Sequence, residues 1–187
     1  MKLIVLACPR SGTGYMAAVL NQLGVRAGQE RLFADGTVDW RQVPRNLTRF
    51  DLILHQVRNP LRVIESLTTV AGGRGMRYLW QCLRRLPGGR IATGDWIADG
   101  ARIWYDWNKL AEPRAVCTYR VENTAHLAGV VLPLVLGRRL TAEETARVQA
   151  VPNNVNSRLH EGKHCRWADM PPDVLALARK YGYKTVD

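Results

Sequence analysis

The sequence predicts an α/β fold: a three-layer arrangement in which a central, mostly parallel sheet of about four to five strands carries helices on both faces. Three observations lead there. Strand-like apolar runs alternate with stretches of helical periodicity along the chain. The first run, residues 3–7, is apolar at every position, the pattern of a strand buried on both sides. It turns through Pro9-Arg10-Ser11-Gly12-Thr13-Gly14 directly into a helical pattern.

The elements follow in order. After the strand at 3–7, a first helix spans about 13–23, with Met16, Val19, Leu20 and Leu23 on one face and Gly24 as its stop. Strands are predicted at 25–27 and 52–57. Pro60, a favoured first-turn residue, starts a helix that carries Leu61, Ile64 and Leu67 inward. Helices at 76–86 and 95–111 are separated by Pro87-Gly88-Gly89. The second gathers Trp96, Ile103, Trp104, Trp107 and Leu110 on one side, a spacing that reads as core before it reads as a pocket wall. A strand at 115–119 and a helix at 172–181 complete the pattern, and residues 71–77 and 138–157 read as the most mobile connections.

Composition narrows the classes of function. The 187 residues suit one domain, 1–187, with a sizeable core, and 47% hydrophobic with 23% charged residues suits a soluble globular chain. The balance of charge is unusual: net charge is +11, with 22 arginines against 5 lysines. The planar arginine fork suits phosphate and sulfate, so anionic ligands are expected, a merely solvated basic surface being the plain alternative. Cys8, Cys82, Cys117 and Cys165 are widely spaced with no C-x-x-C pair, which predicts free thiols in a reducing compartment. No run approaches the roughly 18 apolar residues of a membrane span, and the apolar run at the N-terminus is short for a signal peptide. A cytoplasmic protein without a transmembrane anchor is expected.

Chemistry concentrates at two strand ends, where ligands sit in parallel sheets. The loop after the first strand offers unpaired backbone N–H groups and the positive end of a helix, an arrangement that binds phosphate-like anions. The ATP-binding form of such a loop carries G-x-x-x-x-G-K-[ST], and this loop has no lysine. The second end reads Arg58-Asn59-Pro60, with Ser66 about two turns into the next helix, so that a guanidinium and a hydroxyl can grip one phosphate from two sides.

Pro9-Arg10-Ser11-Gly12-Thr13 after one strand, with Arg58-Asn59-Pro60 and Ser66 after a later one, resembles the PAPS-dependent sulfotransferases, whose fold is like that of P-loop NTPases. The resemblance implies that Arg10, Ser11, Gly12, Thr13 and Gly14, with Tyr15 beside them, hold the phosphosulfate of 3′-phosphoadenosine 5′-phosphosulfate (PAPS). Arg58 and Ser66 would hold its 3′-phosphate. Gly24 to Glu30 looks like the family's second strand, whose last glutamate is the catalytic base, so Glu30 and Arg10 are the implied catalytic residues. Tyr119-Arg120-Val121-Glu122-Asn123 resembles the family's R-Y-E-D-L strand end, with Val121 where tyrosine is usual. Arg166-Trp167-Ala168-Asp169-Met170-Pro171 and Tyr181-Gly182-Tyr183 are similar to its closing segments. Arg158 and Lys163, with Arg166, would add cations near the 3′-phosphate. The implied reaction is in-line sulfuryl transfer to the hydroxyl or amine of an unidentified sugar, lipid, peptide or small molecule, with no metal expected.

Other readings stay in competition. His55 is the alternative base, although a histidine inside a strand reads first as a hydrogen-bonded core residue. His160-Glu161-Gly162-Lys163-His164 spells H-E-x-x-H, but Gly162 and the preceding Asn-rich run do not suit the helix a zinc site needs. A nucleotide kinase-like phosphotransferase is disfavoured by the absent lysine and by the lack of an acidic residue at the end of a predicted strand for Mg²⁺, since Asp51 begins its strand instead. A basic, non-enzymatic nucleic-acid-binding domain calls for a basic stripe with interleaved aromatics, whereas these arginines are dispersed.

Overall fold

The computed structural model describes residues 1–68, 75–89, 91–152 and 164–186. Strand β1 (Leu3–Ala7) is buried along its whole length, and its side chains alternate between two cores. Leu3 and Val5 enter one, and Ile4 and Leu6 enter the other, as the period of two requires. β1 sits at the centre of a five-stranded sheet with β2 (Ala27–Gln29), β3 (Gly36–Val38), β4 (Leu52–Val57) and β5 (Cys117–Arg120). The order is β2-β3-β1-β4-β5 and every pair is parallel.

Helix α1 (Thr13–Gln22) covers one face and packs Met16, Val19 and Leu20 into the core it shares with Leu3 and Val5. Helices α2 (Pro60–Thr68), α3 (Gly75–Arg85) and α4 (Trp96–Ala111) cover the other. The predicted α/β fold with helices on both faces is therefore the fold observed. Because β1 leads into α1 on one face and its neighbour β4 leads into α2 on the other, the chain diverges at their carboxyl ends. A crevice for ligands opens at such a switch point.

The tryptophans of α4 belong to the core, and they also fix the crevice. Trp104 and Trp107 are fully buried. Trp104 Nε1 donates to the carbonyl of Arg58 at 2.9 Å, and Trp107 Nε1 to that of Trp40 at the same distance.

Several elements depart from expectation. β3 has no strand-like run in the sequence, and it opens on Gly36, where a Cβ would lie 2.1 Å from the Leu3 carbonyl oxygen. Only glycine allows the two strands to approach there. The second strand lies at Ala27–Gln29 rather than 25–27, which brings Glu30 to its carboxyl end. Residues 124–136 wind as α5 (Thr124–His126), a π turn (Leu127–Val131) and α6 (Leu132–Leu136).

The stretch 138–157, read as a connection, instead holds α7 (Ala142–Ala150). The Glu144 N–H donates to Thr141 Oγ1 at 3.1 Å and the Thr141 N–H to Glu144 Oε2 at 2.9 Å, a reciprocal cap that Thr-x-x-Glu encodes. Residues 153–157 of that stretch, and 71–74 of the other predicted connection, lie outside the described residues. α8 (Pro172–Lys180) closes against α4. The four cysteines are free, and among the described residues no helix is long and apolar enough to cross a membrane.

Candidate anion-binding site

The loop between β1 and α1 is a sharp reversal. The Ser11 N–H closes a turn onto the Cys8 carbonyl at 3.1 Å, and the Met16 N–H returns to Gly12 at 3.1 Å. Gly12 has a φ of 86°, and a Cβ there would meet Val121 Cγ2 at 3.3 Å. The first turn of a ten-residue helix thus opens here, and its leading N–H groups have no partner within the helix. The Ser11 hydroxyl is buried in the same loop with no hydrogen-bond partner among the described residues. It lies near enough to the Cys8 thiol to temper the rise in pKa that burial imposes there. A buried hydroxyl without a partner, beside helix-opening amides, leaves several donors at this loop able to meet an acceptor atom.

The two sequence motifs meet at this loop. Arg10 Nε donates to Ser66 Oγ at 2.9 Å, crossing from the loop to α2. Arg58, at the tip of β4, donates from Nη1 to the Arg10 carbonyl at 2.9 Å. One of its N–H groups is therefore committed to the loop itself. Burial lowers the Arg58 pKa; Glu122 opposes this, and Arg10 and Arg62 add to it. Crowded, partly desolvated guanidiniums favour a bound anion.

Glu30 stands at the carboxyl end of β2, with its N–H on the Val38 carbonyl at 2.9 Å. Its backbone is left-handed (φ 54°), and the one other described non-glycine residue with positive φ is Arg10 (φ 68°). Such strain gathers at functional positions. The neighbouring chain enforces the turn, since a Cβ on Gly28 would fall 2.3 Å from the Arg31 carbonyl oxygen. The Glu30 carboxylate is engaged by charge rather than by a described hydrogen bond: it raises the Arg41 pKa, after Asp39 has done so. The Tyr78 hydroxyl is raised in pKa by burial first, then by Cys82 and Glu30, with Arg10 opposing. Tyr78 thus lies within the fields of both predicted catalytic residues.

The surroundings of three further residues bear on the sequence reading. His55 is fully buried, with Nε2 2.9 Å from Asn108 Oδ1 and Nδ1 3.1 Å from Thr118 Oγ1. Because the Asn108 amide donates to the Trp104 carbonyl, its oxygen accepts from His55 Nε2, and the ring is held neutral in one tautomer. A ring so committed links β4 to α4 and, through Asn108 and Trp104, to the carbonyl of Arg58. The Tyr15 side chain is buried in the core that α1 shares with Leu3 and Val5. The third is Asp39, a buried acid immediately after β3, which supplies the strand-end acid that the sequence lacked. Its carboxylate accepts from the Arg41 backbone and guanidinium and from Gln42 Nε2 at 2.8–3.4 Å.

Gly14 lies in the first turn of α1, and Thr13 is buried beside it, with Gln29 Nε2 3.5 Å from its Oγ1. Arg158 and Lys163 lie outside the described residues, and so do residues 160–163 of the H-E-x-x-H stretch. His164 and Cys165 pack on Glu65, the neighbour of Ser66, while Arg166 turns back to Asp169.

The structure gives specific partners to residues for which the sequence suggested no role. Glu122 accepts from the Asn59 N–H at 2.7 Å and from the Tyr183 hydroxyl at 3.0 Å. It thereby ties the end of the chain to the corner that follows Arg58. Gln56 reaches the Ser11 carbonyl at 2.6 Å, a polar side chain inside an apolar strand that could have been flagged for that reason alone.

Fold and site define an α/β chain with a glycine-containing candidate anion loop at the switch point of its sheet. No family model, no curated protein and no solved structure matches it.

Proposed function

We propose that this chain is a PAPS-dependent sulfotransferase acting on a hydroxyl or amine acceptor. The observation that supports it most is the junction of the two motifs. Arg10 bonds Ser66 and Arg58 bonds the Arg10 carbonyl, around the buried, unpartnered Ser11 hydroxyl. In this reading the amides of Gly12, Thr13 and Gly14, with Ser11, hold the phosphosulfate, and Arg58 and Ser66 hold the 3′-phosphate. Arg10 offsets the charge that develops on the oxygen bridging sulfur and the departing nucleotide. Glu30 takes the acceptor's proton as the acceptor atom bonds sulfur and the sulfur–oxygen bond to the nucleotide breaks, releasing 3′-phosphoadenosine 5′-phosphate (PAP). The left-handed backbone at Arg10 and Glu30 favours these roles.

A phosphotransferase reading has one observation in its favour: Asp39 follows β3, directly beside β1. Its carboxylate is already taken by Arg41 and Gln42, and the loop lacks the lysine that such chemistry uses. The two readings separate when the protein is given labelled PAPS, or ATP with Mg²⁺, against a panel of sugar, phenol and amine acceptors. Sulfuryl transfer that disappears in Glu30→Gln supports the proposal. Phosphoryl transfer from ATP with no turnover of PAPS contradicts it.

A further inference from the structure

Two successive carbonyls of the anion loop are held by Gln56 on β4 and by Arg58 just beyond its end. Arg58 Nη1 donates to the Arg10 carbonyl at 2.9 Å, and Gln56 Nε2 donates to the Ser11 carbonyl at 2.6 Å. Gln56 is fully buried, and its own Oε1 accepts from the hydroxyl of buried Tyr119 at 2.9 Å. The Ser11 carbonyl can only accept, so it requires Nε2 on the loop side, and the Tyr119 hydroxyl, donating to Oε1, holds the Gln56 amide in that pose.

A trans peptide plane carries its C=O and the following N–H in opposite directions. With the Arg10 carbonyl turned to Arg58, the Ser11 N–H points the other way, and it is found on the Cys8 carbonyl at 3.1 Å. With the Ser11 carbonyl turned to Gln56, the Gly12 N–H is directed away from β4. The left-handed conformation of Gly12 lets the chain enter α1 from that orientation. If the Ser11 carbonyl were released, this plane could rotate and present a carbonyl oxygen to the anion instead of a donor.

We propose that Gln56 and Tyr119 are a positioning pair that aims the Gly12 N–H into the anion site, Tyr119 acting through Gln56. This deepens the sulfotransferase reading by naming what presets its loop, and it needs only that the loop binds a phosphate-like group. The contact is buried and lies outside both sequence motifs, and neither side chain is required to touch the ligand.

The test follows the Gly12 amide resonance by NMR in the full chain, titrated with inorganic phosphate and separately with PAP. In the unsubstituted protein the Gly12 N–H is expected to shift strongly with the anion. Gln56→Leu should weaken phosphate affinity about tenfold to a hundredfold and abolish that shift, because a buried carbonyl loses its donor. Tyr119→Phe, the milder variant, should weaken affinity about threefold to tenfold. The double variant should bind no worse than Gln56→Leu, since Tyr119 acts only through Gln56.

A merely structural role would lower the melting temperature and leave the Gly12 shift in place, which would overturn the proposal. So would a Gly12 amide unmoved by either probe in the unsubstituted protein, or additive losses in the double variant. Phosphate binding through Gly12 with no binding of PAP would support the positioning pair and remove the nucleotide reading.

Discussion

Arg10 and Ser66, 56 positions apart in sequence, are joined by a 2.9 Å hydrogen bond from the guanidinium Nε to the hydroxyl oxygen. The bond bridges β1's loop to α2, helices and strands from opposite sides of the switch point. It turns two separate motifs into one surface.

Loss of that bond should be felt as lost affinity. Ser66→Ala is expected to weaken PAP binding about tenfold, the scale of one hydrogen bond to a charged group. Titration calorimetry measures it. Affinity equal to that of the unsubstituted protein would show that the bond is incidental to binding.

Glu30 combines a left-handed backbone with a carboxylate whose charge acts on Arg41 and Tyr78. Glu30→Gly should raise stability by about 1 kcal/mol, through relief of the strain that a Cβ causes in that conformation. The same change should remove sulfuryl transfer, as should Glu30→Gln. Chemical denaturation and turnover assays read the two effects separately. A less stable Glu30→Gly chain would contradict the strain argument.

Burial pushes the His55 pKa from 6.5 down to about 4. As pH falls below 6.5 the unfolded chain takes up the proton first, so unfolding becomes easier. The stability this group supports is complete above pH 6.5 and is lost on the way to pH 4, about 3 kcal/mol at most. The urea midpoint of His55→Gln, compared with that of the unsubstituted protein from pH 7 to 4, should change less across this window. Parallel profiles would mean that His55 is not held neutral in the fold.

The cap on α7 should behave as a control. Thr141→Ala is expected to cost about 1 kcal/mol, or a fall of roughly 2–4 °C in melting temperature for a chain of this size, without altering PAP affinity. Arg138 first, then the Thr141 amide, hold the Glu144 carboxyl down to about 2. The cap therefore persists until pH drops from 4.5 toward 2, where the lowered group is finally protonated.

The sheet and the turn from β1 into α1 were legible because their signals are local. An unbroken apolar run at Leu3–Ala7, a Gly-containing loop and a proline at a helix start each carry their own geometry. β3 was not legible, since three residues opening on a glycine have no periodicity, and it forms only because Leu3 lies alongside Gly36. With β3 unseen, Asp39 could not be recognised as a strand-end acid. α7 was legible in principle, from Thr141-x-x-Glu144, but its polar face resembles a loop. The partners of the site residues were beyond the sequence altogether. Gln56 stands out as a polar residue in an apolar strand, but its partner, like those of Tyr119 and Trp104, arises only when β4, β5 and α4 pack.

The central claim is that Arg58 and the β1–α1 loop form one nucleotide site. Calorimetric titration of PAP into the unsubstituted protein and into Arg58→Ala tests it most directly. The account predicts micromolar or tighter binding that falls at least about tenfold in the variant, as expected for losing a charged hydrogen-bonding partner. Equal affinity in both proteins, or a preference for ATP with Mg²⁺ over PAP, would contradict it.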